Sequence, residues 1–230
     1  MTATRKPRTP RKKPAASDDE IKSAVVEAAL AHIPFDGFAQ KTLEQAGNEA
    51  GADEKTLVRL FPKGPLSLVE AYSRQADSQM EQRLARAKLA GLKVRERITL
   101  AVRTRIEVLG SHKEAARRAA AFLSLPPNAP SAAKLIYATV DSIWRAAGDT
   151  STDFNFYTKR AILAAVYSST LVRWFNDESE DAQTTWEFLD HRVADVMRFE
   201  KLKADIRTQA ARLPSLTDIL RSSSPRRAAR

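Results

Sequence analysis

Imidazoles and carboxylates are the side chains best suited to moving protons near neutral pH. The chain holds three histidines, His32, His112 and His191, far apart in sequence. His191 and Asp195 stand four residues apart, a spacing that puts both on one face of a helix. The pair could orient an imidazole as a general base, but the plainer reading is a surface pair. The motifs HExxH, ExxH and GxSxG, the P-loop and the Gly-rich dinucleotide turn are all absent. The carboxylates follow no metal-ligand spacing. With no cysteine in the chain, disulfides and thiolate metal sites are excluded. No catalytic site, cofactor or metal is expected.

One stretch is chemically richer. "GDTSTDFNFYTKR", Gly148–Arg160, sets Asp149 and Asp153 among hydroxyls, then places Phe154, Phe156 and Tyr157 ahead of Lys159 and Arg160. A helix start needs one capping side chain, and Thr152 or Asp153 suits that role. Successive helical residues point in different directions. Phe154 and Ala161 follow the spacing of a buried face. Phe156, Tyr157 and Arg160 can form an exposed anchor of the kind found at interface hot spots. The alternative is that all three aromatics are core and Arg160 is merely solvated.

The elements that must position these residues are helices, so the fold class is all-α. From Ser17 the apolar period is helical nearly throughout, with seven glycines and no strand-like alternation. Ser17 or Asp18 caps a first helix carrying Ile21, Val25, Ala28 and Leu30 or Ala29, which should end before Pro34. Short helices are predicted around 42–50 and 53–60, stopped by Gly51 and by Phe61-Pro62. A long helix starts near Pro65, since proline is tolerated in a first turn. Others are predicted at 94–109, 112–124, 130–147, 154–175 and 180–205, with breaks at "LSLPPNAP" and "NDESED". In 206–220, Leu213, Leu216 and Leu220 share a face that could lie in a membrane interface. No apolar run is long enough to span a bilayer, and Met1 is not expected to open a signal peptide.

The helix predicted at 154–175 carries one charge, Arg173, between Ala161 and Phe175. Ala161, Ala164, Ala165, Ser168 and Ser169 would allow another helix to approach closely. Trp186, Leu189, Val193 and Val196 form a stripe on the next helix. The two helices could make a dimer bundle, or the first could be a central core helix of one subunit.

The net charge of +10 sits at the ends. Residues 1–16 carry six basic residues and no acid, and the last ten carry four and none, so residues 17–220 are net neutral. The tails read as solvated and disordered. Between Arg83 and Arg118 stand eleven basic residues and three acids, a surface that could meet anionic lipid.

"TLEQAGNEAGADEKTLVRLFPKGPLSLVEAY" has a helix, a glycine turn, a second helix and an exit into a long one. This resembles the N-terminal module of the TetR repressors, whose second short helix enters the major groove. The cations that DNA binding requires are missing. Residues 17–71 hold five basic residues and ten acids, and the second helix opens with Asp53-Glu54. Phosphate neutralisation supplies most non-specific DNA affinity, so no specific DNA binding is expected.

"WRAAGDTSTDFNFYTKRAILAAVYSSTLVRWFND" and "TWEFLDHRVADVMRFEKLKA" resemble the TetR-fold lipid-binding accessory proteins of ubiquinone (coenzyme Q) biosynthesis, as do "RLFPKGPLSLVEAY" and "VRERITLAVRTRIEVL". The resemblance implies a non-catalytic homodimer that binds an isoprenoid or prenylated quinone precursor. It also implies association with a membrane surface and support of a quinone-precursor hydroxylase. The implied organisation is a basic tail (1–16), a helix-turn-helix-like three-helix unit (17–64), a larger helical lipid-binding and dimerisation domain (65–205), and an amphipathic segment with a basic tail (206–230). Trp144, Leu163, Val166, Tyr167 and Trp174 are candidate lipid-lining residues by size and position. Asp153, Phe156, Tyr157 and Arg160 would form the partner patch. The expected location is cytoplasmic and peripheral on the inner membrane, or the matrix side in a mitochondrion. The alternative is a TetR-type repressor sensing a hydrophobic ligand.

Overall fold

Ser17 opens the first helix with a reciprocal cap. Its backbone N–H donates to Glu20 Oε2 at 2.7 Å, and the Glu20 N–H donates to Ser17 Oγ at 3.3 Å. The structure, a computed structural model, describes residues 17–149 and 154–212. Helix α1 runs Asp18–Asp36. It continues past Pro34, where the sequence predicted a stop. The missing proline N–H removes one ladder bond, but Gly37 N–H closes the helix on Ile33 O at 2.9 Å. Ile33 is fully buried and Arg118 donates to Pro34 O at 3.1 Å, which hold that last turn in place.

Helices α2 (Gln40–Glu49) and α3 (Glu54–Leu60) complete a three-helix unit. Gly51 takes φ +70° in the turn between them. Gly47 faces Leu57 so closely that a Cβ there would lie 2.3 Å from a Leu57 methyl carbon. Asp53 caps α3 by accepting from Thr56 N–H at 2.8 Å. The acid at the head of the second short helix therefore satisfies that helix's own backbone.

Helix α4 (Pro65–Arg86) leads out of this unit into a bundle of α5 (Val94–Leu109), α6 (Lys113–Leu123), α7 (Ala129–Ala146), α8 (Phe154–Phe175) and α9 (Gln183–Arg212). The last helix runs beyond the boundary expected at 205. Helix α4 packs on α5 and α7, and α8 lies against α7 and α9. The core is drawn from all of them, with Leu68, Met80, Ile106, Ile143 and Leu189 fully buried. Among the described residues no helix is long and apolar enough to cross a membrane.

The structure bears on two readings of the last helices. Helix α8 is one-sided: Leu163, Val166, Tyr167 and Trp174 face the core, while Ala161, Ala165 and Val172 are exposed. Ala161 is therefore not core-facing, because it lies on the side of α8 that no other helix covers. The Trp186 stripe of α9 turns inward on its own subunit. Leu189 is buried, Val193 and Val196 pack on the core, and the Trp186 ring lies 4.8 Å from the Arg103 guanidinium of α5. The tails 1–16 and 213–230, the capping candidates Thr152 and Asp153, and Leu213, Leu216 and Leu220 lie outside the described residues.

Asp177 ties the α8–α9 connection. Its carboxylate accepts from Ser179 N–H at 2.9 Å and Thr185 N–H at 2.8 Å, and from both hydroxyls. Burial pushes this carboxyl up, but the hydrogen bonds from Ser179, Thr185 and Thr184 outweigh it and hold it below the usual carboxylate range. A depressed folded pKa stabilises above the unfolded value of 3.8 and loses that contribution as pH falls through the folded one. Urea unfolding should show wild type losing more stability than Asp177→Asn between about pH 4 and pH 2. At pH 7 the variant should be the less stable by about 1 kcal/mol, because hydrogen bonds to a charged acceptor are stronger than those to a neutral one.

Candidate functional site

Small side chains on α6 leave room that the larger residues of its neighbours do not fill. Ala116, Ala119 and Ala120 of α6 face Val69 and Tyr72 of α4, Leu109 of α5, Leu135 and Ile136 of α7, and Tyr167, Leu171 and Phe175 of α8. These residues line a half-open cavity of about 290 Å³. Ligand cavities run from roughly 300 to 1,000 Å³, so this one suits a ring-sized group with a short apolar stretch. Exposed Val172 stands at the cavity lining, and exposed Leu125 follows the lining residue Ser124.

Of the five lining candidates read from the sequence, Tyr167 is the one placed at this cavity. Leu163, Val166 and Trp174 are ordinary core. Trp144 packs at the core edge with the Lys159 ammonium 5.3 Å from its ring centroid. Size and helical position select large apolar residues, but the cavity exists where side chains are small, which such a choice cannot find.

The cavity also contains a polar cluster. Arg105 is 2% exposed, its Nε donating to Asp77 Oδ1 at 2.6 Å and its Nη2 to Ser73 O at 3.2 Å. Thr139 Oγ1 donates to the same Asp77 oxygen at 2.9 Å. Burial holds the Tyr72 phenol protonated, its pKa pushed up to about 12, and raises Tyr167 as well. From the sequence Arg105 counts with the basic surface, and its burial is missed; the signal for it is a charge at an apolar-periodic position, between Ala101-Val102 and Leu109.

Asp149 and the first turns of α8 clasp α7. Arg160 is buried at 4% exposure, which corrects its reading as an exposed anchor. Its Nη2 lies 2.7 Å from Asp141 Oδ1 and its Nη1 3.6 Å from Asp149 Oδ2. Its guanidinium stacks 3.3 Å from the Phe156 ring centroid. Lys159 reaches Asp149 at 2.8 Å. Phe156 is half-buried and Tyr157 is 67% exposed, their rings edge to face at 5.1 Å. The structure thus brings Phe156, Tyr157 and Arg160 together, with Tyr157 alone of the three standing out from the surface. Asp153 lies outside the described residues.

Beside Tyr157 a shallow groove runs along α7 and α8, lined by Ala133, Ile136, Tyr137, Ala161, Ala164 and Ala165. His191 and Asp195 are both exposed, and Asp195 pairs with Arg192 and Arg198 rather than with His191. In the basic run, Arg105 is buried against Asp77, and Lys113 and Arg117 bind the backbone carbonyls of Asp177 and Phe175. Arg83, Arg86 and Lys88 stay exposed, so the basic surface is smaller than the sequence count.

A comparison with known families matches residues 129–200 to the model for COQ9. The matched segment covers α7, α8 and much of α9, and so supplies one side of the cavity. Similar curated proteins include the mitochondrial ubiquinone biosynthesis protein COQ9 of Homo sapiens, 32% identical over 188 residues, 79% of this chain and 59% of that protein. The Xenopus tropicalis protein of the same name is 32% identical over 195 residues, 79% of this chain and 59% of that protein. That of Drosophila melanogaster is 29% identical over 191 residues, 81% of this chain and 58% of that protein. The chain thus spans about 59% of the length of such COQ9 proteins. Among solved structures, a TetR transcriptional regulator from Nitrosomonas europaea superposes with a TM-score of 0.60 at 19% identity, covering 76% of this chain and 96% of that one. The fold is all-α and TetR-like.

Proposed function

We propose that the chain is a non-catalytic, lipid-binding accessory protein of ubiquinone biosynthesis. The cavity of about 290 Å³ carries the reading, because apolar residues of α6 meet the COQ9-matched segment there around an unfilled space. Its ligand is an isoprenoid or prenylated quinone precursor. Val172 and Leu125 offer the ligand an apolar passage to a membrane surface, and Arg83, Arg86 and Lys88 offer cations to its head groups. The relatives are named as mitochondrial, and the proposed place of work is the inner membrane, on the matrix face in a mitochondrion. Tyr157, with Phe156 beneath it, is the anchor for a quinone-precursor hydroxylase. Transfer of a tritiated prenylquinone from vesicles to the protein tests the binding. Retention above that of a similarly sized helical protein is expected, and none would overturn the reading.

The homodimer is proposed on the α7–α8 groove rather than on α9. The Trp186 stripe packs within its own subunit, whereas Tyr137, Ala161 and Ala165 are exposed. Light scattering should show Ala165→Arg as a monomer. An unchanged dimer would put the interface elsewhere.

The TetR-like fold makes a DNA-binding repressor the second reading. Charge speaks against it. Three cations of the N-terminal unit pair with acids of the same chain: Arg59 with Asp18, Lys63 with Glu70 at 3.3 Å, and Lys41 with Asp36 at 3.6 Å. A gel shift at physiological salt with protein lacking residues 1–16 should show no sequence-specific complex. A nanomolar one would favour the repressor.

A further inference from the structure

Two residues that line the cavity carry buried hydrogen-bond donors that the protein leaves unmet. Arg105 spends Nε and Nη2 on Asp77 and Ser73, but its Nη1 is buried with no partner. The Tyr72 hydroxyl is also buried without a partner. Both residues line the same cavity, and the guanidinium is close enough to the phenol to oppose the effect of burial on it. Buried polar groups in folded proteins are nearly always satisfied, so an orphaned pair at a cavity points to an acceptor arriving with a ligand. The charge balance restricts that acceptor. Asp77 already neutralises Arg105 at 2.6 Å. A second anion here would sit beside a carboxylate in a low-dielectric site with no further cation lining it.

We propose that the cavity holds its lipid head inward, with an uncharged carbonyl or phenol oxygen accepting hydrogen bonds from Arg105 Nη1 and the Tyr72 hydroxyl. This rests on the reading of the cavity as an isoprenoid site and specifies which end of the lipid enters and with what chemistry. The apolar tail leaves past Val172, the exposed residue of the cavity lining.

Tyr72→Phe tests the proposal cleanly, because it removes a hydroxyl that supports nothing else in the fold. The melting temperature of the ligand-free variant should match wild type. Equilibrium dialysis would use three probes: coenzyme Q2, farnesene and farnesyl diphosphate. They share short isoprenoid tails but carry, in turn, a quinone, no oxygen and an anion. Tyr72→Phe should weaken coenzyme Q2 about tenfold, the equivalent of one hydrogen bond, and leave farnesene unchanged. Farnesyl diphosphate should bind wild type no better than farnesene. Equal loss of quinone and farnesene, no loss of either, or tightest binding of the diphosphate would each overturn head-inward binding while leaving isoprenoid binding intact. Failure of all three probes to bind would overturn both.

Discussion

Arg160→Glu should destabilise the protein by about 3–5 kcal/mol, while Tyr157→Ala, three residues away, should leave stability within about 0.5 kcal/mol. The Arg160 guanidinium is buried between Asp141 and Asp149 and stacked on Phe156. Reversal puts three carboxylates together in a partly desolvated place and removes the guanidinium's bond to the Phe156 carbonyl at 3.2 Å. In a protein of this size the expected fall in melting temperature is on the order of 10 °C. Tyr157 is 67% exposed, so its truncation opens no cavity. Pull-down of a quinone-precursor hydroxylase should be lost with Tyr157→Ala at normal melting, since an exposed aromatic anchor contributes about 2 kcal/mol or more to an interface. Normal melting of Arg160→Glu would contradict the clasp. Intact pull-down by Tyr157→Ala would contradict the anchor.

Asp77→Ala should have an effect of similar size. Asp77 is the carboxylate partner of a guanidinium that is 2% exposed, and it also accepts from Thr139. Its removal leaves a buried cation uncompensated and a buried hydroxyl unmet, a loss of about 3–5 kcal/mol. Replacing both charges, Asp77→Leu with Arg105→Met, should recover most of that loss, because apolar groups of similar volume are often tolerated where an ion pair is buried. Urea unfolding of the single and double variants measures both. A double variant no better than the single would mean that the pair does more for packing than for charge.

These two clusters show what the sequence could and could not convey. Helix positions were legible, because the 3.6-residue period, Gly51, Pro65 and "LSLPPNAP" mark local events. Helix α5 falls at Val94–Leu109, as predicted. The end of α1 was not legible, because tertiary contacts at Ile33 and Arg118 override the local effect of Pro34. Arg160 was misplaced for a related reason. Its partners Asp141 and Asp149 lie on the other side of the connection, and no helical spacing reveals a pair formed by a chain turning back. Arg105 and Asp77 did leave a trace, as charges on otherwise apolar faces, while the cavity left none, since it is a property of small residues on several helices at once.

The central claim is that this cavity holds an isoprenoid. Mass spectrometry of the organic extract of purified protein tests it directly, beside a variant in which Ala120→Phe fills the space. The account predicts a prenylated compound in near-stoichiometric amount with wild type and its loss from the variant. An extract without isoprenoid, or one that the filled cavity leaves unchanged, would contradict it.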